Sequence, residues 1–334
     1  MTSAVRAVSF LVPARRLIVF VVGAVACAIF LPVIFSGLNL LIVNQACIYG
    51  IAALGLNVIF GMTSLLSIAQ AALMGVGAYT FVLTANRGIG FPATVVLACL
   101  GAAIVSAITG LISTRVRSHY FILITLALAE TVTLVAANDL SLTGGDNGVA
   151  LNTIPTIFGD SLVTPAAFAP LAIASLFLVW YLAECLRTSR FGVALRAIST
   201  DEYLAAVSGV AISRYRLAAT VVGGAFAGLA GAMLAISDAF IGPQNFQLDT
   251  GILLLLMVVL AGGGSNTGTV IASAILTYLS QGLLTLAAVG ELIYGVAIVV
   301  LLIAVPDGLA GVGHLIERQV RTGVRLLTVR VQNH

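Results

Sequence analysis

Long apolar runs, separated by short polar turns, repeat along almost the whole chain. A helix crossing the hydrocarbon core of a bilayer needs about twenty mostly apolar residues. Runs of that kind fall near Leu17–Phe35, Leu38–Phe60, Ile68–Ala85, Pro92–Ser113 and Tyr120–Ala137. Others fall near Ala166–Leu186, Leu217–Ser237, Gly251–Ala261, Val270–Leu286 and Leu292–Val305. The runs do not alternate with a period of two, which excludes a transmembrane barrel and leaves helices to satisfy the backbone in lipid. The pattern predicts an all-α polytopic membrane protein with about ten transmembrane or re-entrant helices. Arg15-Arg16 precedes the first run, which is too long for a signal-peptide core and lacks a clear cleavage site, so it reads as a retained helix. The expected organisation is an N-terminal segment 1–16, a transmembrane domain 17–312 and a basic tail 313–334.

Arginine placement orients these helices. Alternating crossings put the N-terminus, the Arg115/Arg117 turn, the 187–216 loop and the tail on one side, leaving only Arg87 opposite. The positive-inside rule makes that side cytoplasmic. Asp139, Asp146, Asp160, Asp238 and Asp249 fall on the other side. The expected location is a membrane, with both termini in the cytoplasm.

Composition supports the same class and narrows the chemistry. Hydrophobic residues make up 60% of the chain and charged residues 8%, with a mean hydropathy of +1.16; a soluble domain carries about a quarter charged residues. Every basic residue is arginine. Without a lysine there is no Walker A loop, so Gly262-Gly263-Gly264-Ser265 is not a nucleotide cradle. Cys27, Cys47, Cys99 and Cys185, like His119, His314 and His334, lack metal-ligand spacing. No cofactor, metal or nucleic-acid partner is expected. HExxH, GxSxG and paired carboxylates in one span are missing, which argues against an intramembrane enzyme.

Local signals mark three features. The first is the polar island 187–216, RTSRFGVALRAISTDEYLAAVSGVAISRYR, lying between two apolar runs. Ser199 and Glu202 have capping-box spacing, Gly209 can close a short helix in the left-handed conformation, and Ser213 can cap the next span. The second feature is a pair of interruptions, 61–67 and 262–268, rich in Gly, Ser and Thr, whose separation by about half the chain hints at an internal duplication. The third is the pair of outer loops, 138–164 and 238–250, which either carry structure or serve as connectors.

Polar residues inside apolar runs are few. Glu130 lies near mid-span, where a charge costs a few kcal/mol by insertion scales. It either faces an aqueous cavity, a substrate ammonium or a neighbouring helix, or is a protonated or interhelically bonded carboxyl. Asn44, Gln45, Asn57 and Gln70 either line a translocation route or tie helices together at less than about 1 kcal/mol each. The Gly/Ala-rich stretch 223–231 reads as a close helix-packing face.

The island segment Arg190–Ile198, followed by Asp201-Glu202, Ala205-Ala206, Gly209 and Tyr215-Arg216-Leu217, resembles the coupling loop of ABC importer permeases for branched-chain amino acids. More narrowly, the chain is similar to the M-type permease subunits of leucine/isoleucine/valine uptake systems. The resemblance extends through Ala53-Leu54-Gly55-Leu56-Asn57, Gly75–Tyr79, Thr125-Leu126-Ala127, Leu142–Gly145, Ala227–Ala232 and Pro306-Asp307-Gly308-Leu309. It implies two cytoplasmic ATP-binding subunits, a second homologous permease and a periplasmic substrate-binding protein. It also implies that Arg196, Asp201, Glu202, Ala205, Ala206 and Gly209 couple the chain to an ATPase. Relatives often read Ser-Leu-Gly-His-Ala where this chain reads Ser67-Ile68-Ala69-Gln70-Ala71, so no proton role is assigned there. The implied activity is half of a channel for branched-chain or other hydrophobic amino acids, itself without ATPase activity. Amides, urea or another small solute are the alternative cargo. An ion-coupled secondary transporter is the rival class, but it calls for clustered intramembrane charges where Glu130 stands nearly alone.

Overall fold

The computed structural model of the protein describes residues 37–283, apart from 114–117, 141–142, 153–155, 158–159 and 162–163, together with 295–296. The expected helix Leu17–Phe35, all of Leu292–Val305 but residues 295–296, the segment 1–16, Arg115, Arg117, the 306–309 motif and the tail 313–334 lie outside the described residues.

Within them, each predicted apolar run is helical. Helix α1 (Leu38–Leu56) continues into a π-helical turn, Asn57–Gly61, and α2 covers Gln70–Asn86. Then come α3 (Phe91–Ser113), α4 (Ser118–Asn138), α5 (Pro165–Thr188), α6 (Arg190–Thr200) and α7 (Glu202–Val207). The series closes with α8 (Ile212–Asp238), α9 (Leu248–Ala261) and α10 (Asn266–Leu283). Among the described residues, six helices are long and apolar enough to cross a membrane. The chain is a multi-pass membrane protein. Helix α8 starts at Ile212 rather than Leu217, because backbone hydrogen bonding carries the helix past the edge of the apolar run. It leaves Ala211 without a side-chain cap, so Ser213 is not the N-cap expected of it.

Helix α8 is the axis of the bundle, packed along α1, α2 and α3. Its small residues make this possible. A Cβ on Gly231 would overlap the Met74 carbonyl of α2, and one on Gly228 would press on the Ala98 carbonyl of α3. On α2, Gly77 lies against the Gly228 backbone in the same way. Between apolar helices in lipid, such close approach supplies the van der Waals contact that water would otherwise enforce. The 223–231 stretch is a packing face. Ser106 Oγ adds a tie from α3, donating to the Thr220 carbonyl at 2.6 Å.

At one end of the bundle the two polar loops are stitched together. Strand β1 (Val149–Ala150) and strands β2 (Thr156–Ile157) and β3 (Asp160–Ser161) come from the first loop, and β4 (Phe240–Ile241) from the second. Antiparallel pairing joins β1 to β4 and β2 to β3. Asn86, at the end of α2, donates to the Ala150 carbonyl at 3.0 Å and accepts from the Asn152 N–H at 2.9 Å. The loops therefore carry structure. Helices α6 and α7 lie at the opposite end, as do the two interruptions, which meet: Gly61 packs against the Gly264 backbone.

Candidate functional site

The polar island folds into two short helices. Ser189 caps α6, its Oγ accepting from the Gly192 N–H at 3.4 Å. Gly192, Leu195 and Ile198 form the buried face of α6, and Phe191 packs on Tyr215 of α8 with ring centroids 5.7 Å apart. Arg196 is exposed; its Nη2 donates to the Arg187 carbonyl at 3.1 Å, fastening α6 to the end of α5.

Helix α7 has only six residues, and isolated helices that short do not persist in water. Three features hold it. Asp201 is its N-cap, with Oδ1 accepting from the N–H groups of Tyr203 at 2.9 Å and Leu204 at 3.0 Å. This corrects the expected capping box: Ser199 lies inside α6, its hydroxyl donating back to the Arg196 carbonyl. At the other end Gly209 adopts φ +82°. Its N–H donates to the Ala206 carbonyl and that of Val210 to the Ala205 carbonyl, the paired bonds of a Schellman closure. Thirdly, Glu202 is gripped by Arg216 of α8 in a two-pronged ion pair, Nη1 to Oε1 at 3.0 Å and Nη2 to Oε2 at 2.8 Å.

The two faces of α7 differ. Ala205 is buried, so it supports the helix rather than presenting a surface, whereas Ala206 is exposed. Tyr203, Leu204 and Val207 are 78%, 62% and 72% exposed. These large apolar side chains stand beyond the apolar run of α8. Tyr203, Leu204, Val207 and Arg216 are not among the coupling residues that the resemblance implies, although a charge such as Arg216 at the start of an apolar run is a signal legible in the sequence.

The polar residues within the spans take up different positions. Asn44 is buried and donates to the Pro165 carbonyl at 3.0 Å, joining α1 to α5. Gln45 accepts from Gln281 of α10 at 2.6 Å. Gln70 is buried and its amide nitrogen bridges the carbonyls of Ala52 at 2.9 Å and Gly223 at 3.1 Å, joining α1, α2 and α8. Asn57 is buried in the π-helical turn; it donates to Asn266 Oδ1 and accepts from the Gly264 N–H, both at 2.9 Å. Each of these bonds is what an interhelical tie requires. Glu130 instead lies on the exposed face of α4 beside Leu123, Leu134 and Val135, while Phe121, Thr125 and Ala129 face the bundle. Among the described residues no three His, Cys, Asp or Glu side chains stand together as a metal site.

The chain is similar in sequence to known proteins. Residues 38–305 match the family described as branched-chain amino acid transport system / permease component. The high-affinity branched-chain amino acid transport system permease protein LivM of Escherichia coli K12 is 29% identical, over 87% of this chain and 74% of its own. The corresponding protein of Salmonella typhimurium is 28% identical over the same shares. A probable branched-chain amino acid transport permease protein of Methanocaldococcus jannaschii is 28% identical over 42% of this chain and 41% of its own. No solved structure shows a significant match.

Proposed function

The chain belongs to the branched-chain amino acid transport permease component family, and from that membership we propose that α7 is the point at which a separate ATPase grips this permease subunit of an ABC importer. The observation that carries this reading is the two-faced α7. Ala205 and the Glu202–Arg216 pair fasten one side to the bundle, while Tyr203, Leu204 and Val207 remain uncovered on the other. Exposed apolar side chains grouped outside the spans fit a groove on a partner, with Tyr203 the kind of aromatic side chain that anchors such an interface. The arginine distribution supports putting that partner in the cytoplasm, with both termini on the same side.

In this reading the working complex holds two cytoplasmic ATP-binding subunits, a second homologous permease and a periplasmic substrate-binding protein in a bacterial inner membrane. The absence of lysine from the chain supports assigning ATP hydrolysis to the partners. The cargo is a branched-chain or other hydrophobic amino acid, as the relatives' names describe for them. Coupling runs through Arg196, Asp201, Glu202, Ala205, Ala206 and Gly209, supplemented by Tyr203, Leu204, Val207 and Arg216. Gln45, only half-buried beside its tie to Gln281, and Glu130 are the proposed pathway residues; the buried Asn44, Asn57 and Gln70 keep the helices around that pathway in register. A carboxyl on an outward face at mid-span calls for a polar neighbour rather than lipid, which supports placing the second permease against α4.

Reconstitution with the partner subunits tests the reading. Leucine, isoleucine or valine uptake is expected to require hydrolysable ATP and to stop when the ATPase is made hydrolysis-dead. Uptake that persists with the dead ATPase and collapses on dissipating the ion gradient would establish a secondary transporter instead. ATP-driven uptake of amides or urea, with no response to leucine, would refute the cargo assignment alone.

A further inference from the structure

One set of polar side chains is not absorbed by docking. Glu184 sits one turn before the end of α5 and its carboxylate collects three hydrogen bonds. Two come from Arg187, Nε to Oε2 at 2.9 Å and Nη2 to Oε1 at 2.6 Å. The third comes from Asn266 Nδ2 to Oε2, at 2.9 Å. Asn266 is the first residue of α10, and its Oδ1 receives the Asn57 amide, whose own Oδ1 receives the Gly264 N–H. At the α6 end of this set, the Arg187 carbonyl receives Arg196. Hydrogen bonds on either side of Arg187, joined through that residue's own covalent frame, thus link α6 through the end of α5 to the two places where the spans are interrupted.

Its position is hard to explain by stability alone. Asn57 and Asn266 are fully buried, and amides taken from water contribute stability only when all their partners are in place. Satisfied networks of this kind fix one arrangement over near alternatives. Both asparagines sit at breaks in regular helix: Asn57 in the π-helical turn, Asn266 directly after the Gly262–Ser265 turn. Single π-turns concentrate at functional positions, and broken helices in transporters commonly line the substrate site. Gly61 leaves no slack, since a Cβ there would overlap both Asn57 Oδ1 and the Gly264 nitrogen.

We propose that Glu184, Asn266 and Asn57 are positioning residues that carry displacement of α6 into the two interrupted spans, so that ATPase closure opens the pathway. This rests on the importer reading above. The chain would sever at Asn266: with its amide removed, the loop can still move and the ATPase can still turn over, but the breaks no longer follow.

The test uses the assembled complex in proteoliposomes, reading uptake, ATP hydrolysis and subunit stoichiometry together. Asn266→Ala, Asn57→Ala and Glu184→Gln are each expected to lower solute transported per ATP by about tenfold with hydrolysis retained. The Asn57→Ala/Asn266→Ala pair should fall no further than either single change, since members of one network are non-additive. If the alanine variants fail to assemble, Glu184→Gln decides, because it keeps the side-chain shape while removing the charge and turning one of the two acceptor oxygens into a donating NH2. Wild-type transport per ATP in Glu184→Gln, or additive losses in the double variant, would overturn the relay while leaving the importer reading intact. A wild-type complex with no ATP-dependent uptake would remove the importer reading itself.

Discussion

Gly209 offers a test in which sterics and backbone conformation separate cleanly. Its φ is +82°, and no heavy atom lies within 4 Å of where a Cβ would sit. A side chain there meets open space, so its cost is torsional. Holding an L-residue in the left-handed region costs roughly 1–2 kcal/mol, which corresponds to about a 5- to 30-fold change in the population of the closed α7. What is lost is the pair of Schellman bonds to the Ala205 and Ala206 carbonyls, in a helix too short to survive without its ends. Asparagine tolerates the left-handed region, and valine, β-branched, is an outlier there. Uptake in cells carrying the partner subunits should therefore rank Gly209 and Gly209→Asn above Gly209→Ala, with Gly209→Val lowest. Immunoblots should show unchanged membrane abundance, because the position lies outside the spans. Full uptake in Gly209→Val would refute the closure argument; equal loss in Gly209→Asn and Gly209→Val would show that size, not conformation, matters.

Two further outcomes are expected. Glu202→Gln strips the carboxylate from Arg216, whose side chain is only 8% exposed while that of Glu202 is 55% exposed. Water reaches the pair from the glutamate side, so the cost should be about 1–2 kcal/mol rather than the 3–5 of a fully buried pair. Limited proteolysis within 202–216 should become several-fold faster, and an unchanged rate would contradict the ion pair's holding role. Gly231→Leu forces a side chain into the Met74 carbonyl, and overpacking of this kind costs about 1–3 kcal/mol or more; membrane abundance should drop sharply, and wild-type abundance would contradict α8 as the packing axis.

Much of the architecture is visible in the sequence because lipid imposes it. A charged stretch such as Arg187–Arg216 cannot be buried in hydrocarbon, and Gly209 ends a helix because few other residues accept its backbone angles. The Gly223–Gly231 face was legible for the same kind of reason: small residues at helical spacing have few other uses in a span. The N-cap was not, because Ser199 and Asp201 both satisfy local capping chemistry, and only the continuation of α6 through Thr200 decides between them. Which face of α7 is free depends on how it lies against α8, so Ala205 and Tyr203 could not be told apart by spacing. The Asn57–Asn266–Glu184 chain joins residues 209 and 82 positions apart, a juxtaposition no local pattern encodes. Strands of two residues, as in β1 and β4, are too short to leave a periodic trace.

Crosslinking from α7 tests docking most directly. With the four native cysteines replaced, Tyr203→Cys should react from the cytoplasmic side with a membrane-impermeant thiol reagent and crosslink to the ATP-binding subunit. A cysteine at Asn152, in the opposite loop cap, should do neither. Labelling of position 203 only from the outer face, or the absence of any crosslink to the ATPase in an assembled and active complex, would contradict the account.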